Sequence, residues 1–256
     1  MSPPLPPGDS SFMTPDLEGR LFAVTGAAGG IGRPTCRLLL ERGASLIAVD
    51  PDEQGLDALC RWMNAGDRVT AHVSSLETPE ACTAALDARD GPLAGLVHLA
   101  GTFVPDALEP SDRLVYDGVI ASNLTNAYDL TIAARPRFDS AGTGHIVLTS
   151  SLAFRRGATD HTAYSAAKGG LVGLTRSLAR RLAPGILVNA LAPGLIETNM
   201  SRTFFAANRE RLVAGVPLGR FGRPEEIASV IGFLCSDAAS YMTGQTLNID
   251  GGIVMG

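Results

Sequence analysis

Lysine is almost absent from this 256-residue chain: of 21 Lys and Arg side chains, Lys168 alone is a lysine. Arginine serves at every other basic position, so a general need for positive charge does not account for this one. The two cations differ, lysine being a compact charge on a flexible stem and arginine a planar, permanently charged fork. A net charge of −5 leaves no basic face for nucleic acid and no polybasic membrane anchor. Four cysteines, Cys36, Cys60, Cys82 and Cys235, show neither CxxC nor metal-ligand spacing and read as buried thiols of a reducing, cytoplasmic compartment. No apolar run approaches the length of a membrane span. The first residues have neither a basic start nor an apolar core, so they read as no signal peptide.

The composition, 45% hydrophobic and 18% charged, is that of a folded globular chain. Residues 1–16, rich in proline, predict a disordered arm in which Met13 is a second candidate start, and residues 17–256 predict a single domain. Leu21 to Thr25 is apolar throughout, as a parallel strand buried on both faces should be. A glycine-rich turn follows at once, Gly26-Ala27-Ala28-Gly29-Gly30-Ile31-Gly32, and then a helical run from Arg33 to Arg42. Such a turn lets backbone N–H groups approach a pyrophosphate at the positive end of a helix, though a structural turn has the same look. Further strands are expected at Ser45–Val49, Arg68–Val73, Leu93–Leu99, Gly144–Thr149, Ile186–Leu191 and Gln245–Ile249. Helices alternate with them, one capped by Thr78, one from Arg113 to Phe138, and one from Pro224 to Cys235. The pattern predicts one doubly wound α/β domain with a parallel seven-stranded sheet. Asp50, after the second strand, is where a carboxylate accepts hydrogen bonds from an adenosine ribose and repels a 2′-phosphate, which favours NAD over NADP. Arg33 complicates that preference or simply faces solvent.

Tyr164 and Lys168 lie four apart in a helical segment, His161 to Leu182, and therefore share one face. A free phenol has a pKa of about 10 and is a poor base at neutral pH. An ammonium about 5 Å away, at an effective dielectric of about 20, favours the phenolate by roughly 3 kcal/mol, or about two pKa units. Ser150 and Ser151 stand at the carboxyl end of a strand, where open α/β sheets place ligands. Asn123, amid Val119, Ile120, Leu124 and Leu130, reads from its surroundings as a buried core amide. The segment from Leu195 to Val216 has the length of a flap over a pocket, or of a surface excursion.

Taken together, Thr25 to Gly32, Asn123, Ser151, Tyr164 with Lys168, Asn189 to Gly194 and the closing Tyr241 to Gly252 resemble the classical short-chain dehydrogenases/reductases, with the likeness running from Leu17 to Gly252. The resemblance implies a Rossmann fold and a catalytic set of Asn123, Ser151, Tyr164 and Lys168. Tyr164 would be the general acid/base, Ser151 would bond the substrate oxygen, Lys168 would lower the tyrosine pKa and hold the nicotinamide ribose, and Asn123 would anchor a relay water. Cofactor contacts would come from Gly26, Gly29, Gly30, Ile31, Gly32, Asp50, Ala100, Gly101, Tyr164, Lys168, Pro193, Gly194, Ile196 and Thr198, with no metal. Family members commonly form homotetramers through the helices that bear Asn123 and Tyr164.

Two positions depart from the pattern. His98-Leu99-Ala100-Gly101 replaces the usual Asn-Asn-Ala-Gly, so an asparagine hydrogen bond is lost or passes to His98. His72 stands where an adenine-contacting aspartate is usual. The expected activity is interconversion of a secondary alcohol and a ketone with NAD, with 3-oxoacyl-thioester reduction as the alternative. A dinucleotide sensor without chemistry would show damage in the catalytic set, which is intact, and a nucleotide-sugar epimerase or dehydratase would need a longer C-terminal lobe. Leu152, Phe154, Phe204 and Phe205 read as an apolar pocket or as core, and Arg155 and Arg156 as solvated surface or as partners of a carboxylate or phosphate.

Overall fold

The computed structural model describes residues 16–139, 142–198 and 209–255. The proline-rich arm, except Asp16, lies outside them, as do Phe204, Phe205 and the middle of the expected flap. Asp16 itself is ion-paired with Arg42, and Leu17 beside it is fully buried.

Seven parallel strands form one sheet in the order β3-β2-β1-β4-β5-β6-β7. They are β1 (Leu21–Thr25), β2 (Ser45–Asp50), β3 (Val69–Val73), β4 (Leu93–His98), β5 (Gly144–Thr149), β6 (Ile186–Pro193) and β7 (Thr246–Ile249). β1 pairs with β2 on one side and β4 on the other, so the chain reverses its direction of winding there and opens a crevice above the carboxyl ends. β6 runs two residues beyond the expected end because Ala192 and Pro193 continue the pairing with β7.

Side-chain alternation along β1 explains its unbroken apolar run. Phe22 and Val24 pack on one face with α1 (Gly32–Glu41), α2 (Glu53–Met63) and the helix Pro224–Leu234. Leu21 and Ala23 pack on the other with α3 (Pro79–Leu86), α5 (Asn126–Ala134) and α7 (Thr162–Leu182). Both faces are covered, as an all-parallel sheet requires.

The long helix expected from Arg113 to Phe138 is not continuous. α4 (Arg113–Ile120) passes into a π-turn at Ala121–Thr125 before α5 begins. A π-turn inserts one extra residue and rotates what it carries, a device common at functional positions; here it carries Asn123, which it buries completely. A short α6 (Ala153–Arg156) follows β5. Among the described residues no helix is long and apolar enough to cross a membrane, and no cluster of His, Cys, Asp and Glu could hold a metal ion.

Candidate active site

The glycine turn forms a cradle at the end of β1. Gly26 has φ +68°, and a Cβ there would meet Ala100 N at 2.8 Å and the Leu99 carbonyl carbon at 2.9 Å. Only glycine tolerates both the left-handed backbone and this approach to the exit of β4. Gly29 N–H donates to Gly26 O at 3.1 Å, and a Cβ on Gly32 would overlap Gly26 O. A Cβ on Gly30 would meet Cβ of Thr198 at 2.7 Å, so the segment after β6 crosses directly over the turn. No side chain caps α1 after Ile31 and no acidic residue stands in its first turn. Arg33 N–H is bonded to Gly29 O at 3.1 Å and Pro34 has none, so it is the positive end of the helix dipole at the glycine turn that suits an anion, as a dinucleotide pyrophosphate would be.

Asp50 is mostly buried. Its Oδ2 accepts from Ala28 N–H and its Oδ1 from Asp52 N–H, each at 3.0 Å. The carboxylate thus braces the cradle at the position expected for a ribose contact. Arg33 does not simply face solvent: its Nε donates to Ala28 O at 2.9 Å, which holds the guanidinium against the same turn. His72 is half-buried on β3.

Tyr164 and Lys168 share a face of α7, with Nζ 5.4 Å from the centre of the phenol ring. Nζ donates to Thr149 O at the end of β5, at 2.8 Å. The two serines separate by role. Ser150 donates to Lys168 O at 2.7 Å and ties β5 to α7, whereas Ser151 hydrogen-bonds Tyr164 and accepts from Ala153 N–H. The expected lowering of the phenol pKa is not what the geometry produces. Burial pushes Tyr164 above its ordinary value, with the Ser151 hydrogen bond opposing, and burial pushes the Lys168 ammonium down to about 7. The same desolvation that brings the pair together resists charge on both.

Asn123 donates from Nδ2 to Thr102 O and Val119 O, each at 3.0 Å, and its buried Oδ1 has no partner. A Cβ on Gly101 would overlap that oxygen and lie 3.5 Å from Lys168 Nζ. The bare Gly101 backbone therefore lies between an orphaned acceptor and an ammonium, an arrangement suited to a bridging water. Ala100 and Gly101 follow β4, and Pro193 ends β6, its carbonyl accepting from Leu152 N–H at 2.9 Å. Gly194 N–H donates to Ile249 O at 3.0 Å, and a Cβ on Gly194 would meet Asp250 Cα at 2.7 Å. Ile196 is buried beside Gly222. The expected residues thus lie at the carboxyl ends of β2 and β6, on the segments that follow β1, β4, β5 and β6, on α7, and, for Asn123, on the π-turn between α4 and α5.

Sequence reasoning missed an aromatic wall. Phe103 stacks on His161 at 3.7 Å and meets Tyr164 edge-on at 4.9 Å. His161 pairs through Nδ1 with Asp160 at 2.8 Å, and Asp106 accepts from Ala163 N–H at the start of α7. His161, three residues before Tyr164, was legible by helical spacing; Phe103 had no local signal. Arg155 and Arg156 are exposed, with Arg155 over the Phe154 ring at 5.0 Å, which favours the solvated reading.

Comparison with known proteins agrees with this geometry. The family model described as Enoyl-(Acyl carrier protein) reductase matches residues 26–254. The 3-oxoacyl-(acyl-carrier-protein) reductase FabG of Vibrio harveyi is 36% identical over 242 residues, covering 94% of this chain and 99% of the relative. A crystal structure of a short-chain dehydrogenase/reductase, glucose/ribitol dehydrogenase, from Brucella melitensis superposes with TM-score 0.91 at 35% identity, over 94% of this chain and 99% of that one. A single-site variant of the actinorhodin polyketide ketoreductase, crystallised with NADPH, superposes with TM-score 0.84 at 30% identity, over 91% of this chain and 97% of that one. The cradle, the Tyr164 face and these likenesses have one reading: the chain belongs to the classical short-chain dehydrogenase/reductase family and is an oxidoreductase of the kind that uses a nicotinamide dinucleotide.

Proposed function

We propose that this enzyme interconverts a secondary alcohol and a ketone, with Tyr164 as general acid/base and Ser151, Lys168 and Asn123 in support. The observation that carries the reading is the convergence of Ser151 and Tyr164 beside Lys168, at the same sheet edge as the glycine cradle. A nicotinamide dinucleotide in that cradle would supply the hydride acceptor or donor. Ser151 donates a hydrogen bond to the substrate oxygen while Tyr164 exchanges a proton with it. Because burial keeps the phenol protonated, Tyr164 begins carbonyl reduction as an acid, and in alcohol oxidation it must first lose that proton. Lys168 and the orphaned Asn123 Oδ1 supply the route by which the proton is replaced.

NAD is the proposed partner because the Asp50 carboxylate stands where a 2′-phosphate would lie. The second reading, reduction of a 3-oxoacyl thioester with NADPH, is favoured by the position of Arg33 on the same turn and by the names of the similar reductases. A homotetramer is supported by exposed Leu114, Tyr128 and Ile132, and by open space over Gly118, Gly169 and Gly173, on α4, α5 and α7. A panel of secondary alcohols, ketones and 3-oxoacyl thioesters, assayed in parallel with NAD(H) and NADP(H), tests the proposal. Turnover of thioesters alone, with NADPH alone, would overturn it in favour of the second reading.

A further inference from the structure

His98 ends β4, immediately before the Ala100–Gly101 loop, and is 1% exposed. Its Nδ1 lies 2.8 Å from Thr25 Oγ1, and that oxygen also accepts from Ala100 N–H at 3.4 Å. Thr25 Oγ1 keeps its own proton while it accepts from the amide and so can donate to Nδ1, the arrangement that places the hydrogen of the neutral ring on Nε2. Nε2 is buried without a partner of ordinary geometry, and so is Oδ1 of Asn126 on α5. Two orphaned atoms, one a donor and one an acceptor, call for an account. The elements that carry them, α5 and β4, pack against each other; burial above all, then the Lys168 charge, push the imidazole down to about 3, while the Asn126 side chain, as an acceptor, pulls the other way. Asn126 Nδ2 donates in turn to Ser122 O in the π-turn, at 2.8 Å, and Ser122 Oγ lies 2.7 Å from Thr102 Oγ1. Polar contacts therefore run from the cradle strand to His98 and from Asn126 to the turn that holds Asn123, with the two orphaned atoms at the gap between them.

We propose that His98 and Asn126 form a buried strut, Nε2–H to Oδ1, which sets the position of the Asn123 turn against the cofactor-side loop. His98 is thereby a positioning residue. The kinetic part of this inference rests on the oxidoreductase reading; the structural part does not.

The chain has four histidines, so imidazole nitrogen NMR of the cofactor-free protein resolves each ring. His98 is expected as the neutral Nε2–H tautomer, unchanged from about pH 5 to 8, with a slowly exchanging ring proton. Asn126→Leu is expected to shift that proton and speed its exchange. An Nδ1–H tautomer, titration within that range, or indifference to Asn126→Leu would overturn the strut. For turnover, His98→Asn keeps a partner for Thr25 but is too short to reach Asn126. It and Asn126→Leu should each lower kcat about tenfold at unchanged cofactor KM, and the double variant no further, against about a hundredfold for independent sites. Additive losses, or a lowered Tm with kcat intact, would refute a positioning role. If the parent turned over no alcohol or carbonyl, the functional reading would fail while the NMR result still decided the strut.

Discussion

Replacing Lys168 with methionine should abolish turnover and yet stabilise the cofactor-free protein near neutral pH. In the fold the amine titrates at about 7, against 10.5 for the free side chain, and burial is the cause. Between those values the unfolded chain binds more protons than the folded one, so stability rises with pH across that window. Below about pH 7 the full cost of the buried ammonium applies, about 5 kcal/mol at 1.36 kcal/mol per pH unit. Methionine removes this cost and keeps most of the stem packing, but leaves Thr149 O without its donor, a loss of about 1–3 kcal/mol. The net gain at pH 6 is about 2–4 kcal/mol, or roughly 4–16 °C in Tm for a chain of this size. Reversible denaturant unfolding of both proteins at pH 6, 8 and 10, at one fixed protein concentration, measures it. The advantage of the variant should shrink with each step and vanish by pH 10. A variant less stable than the parent at pH 6, or a difference that ignores pH, would refute the account of Lys168 as a buried, strained cation.

Tyr164→Phe should leave dinucleotide affinity, read by fluorescence titration, nearly unchanged while lowering turnover by about 10²–10⁴-fold; equal turnover at saturating cofactor would remove the tyrosine from the chemistry. Since the phenol must ionise before oxidation, kcat for alcohol oxidation should rise with pH through the neutral and alkaline range while carbonyl reduction is flat or falls, and matching profiles would contradict the raised phenol pKa. Asp50→Ser should narrow the preference between NAD and NADP, and losing its bonds to Ala28 and Asp52 should cost stability about 1–3 kcal/mol, seen as a lower denaturation midpoint. Gly26→Ala combines a left-handed φ, strained by about 1–2 kcal/mol, with a backbone clash at Ala100. It should lower both Tm and cofactor affinity, and an unchanged melting curve would mean that the turn is looser than its geometry.

Some of this molecule could be read directly from its residue order. The all-apolar runs of β1 and β2, the glycines after β1, the Pro79 start under Thr78 and the four-residue spacing of Tyr164 and Lys168 are local patterns, and they reappear with boundaries shifted by a residue or two. The doubly wound parallel sheet also followed, because alternating strands and helices admit few ways to cover both faces of a sheet, whereas the order of its strands came from the tertiary structure. What depended on packing was different in kind. The π-turn arises where α4, α5 and α7 meet, with Gly170 close against Leu124, and helical periodicity does not encode the extra residue that swings Asn123 inward. The division of labour between Ser150 and Ser151, and the stacking of Phe103 on His161, unite residues far apart in the chain. Most tellingly, spacing placed an ammonium beside a phenol but not the dielectric around them. Desolvation depends on every atom packed nearby, and here it reversed the sign of the expected shift at Tyr164.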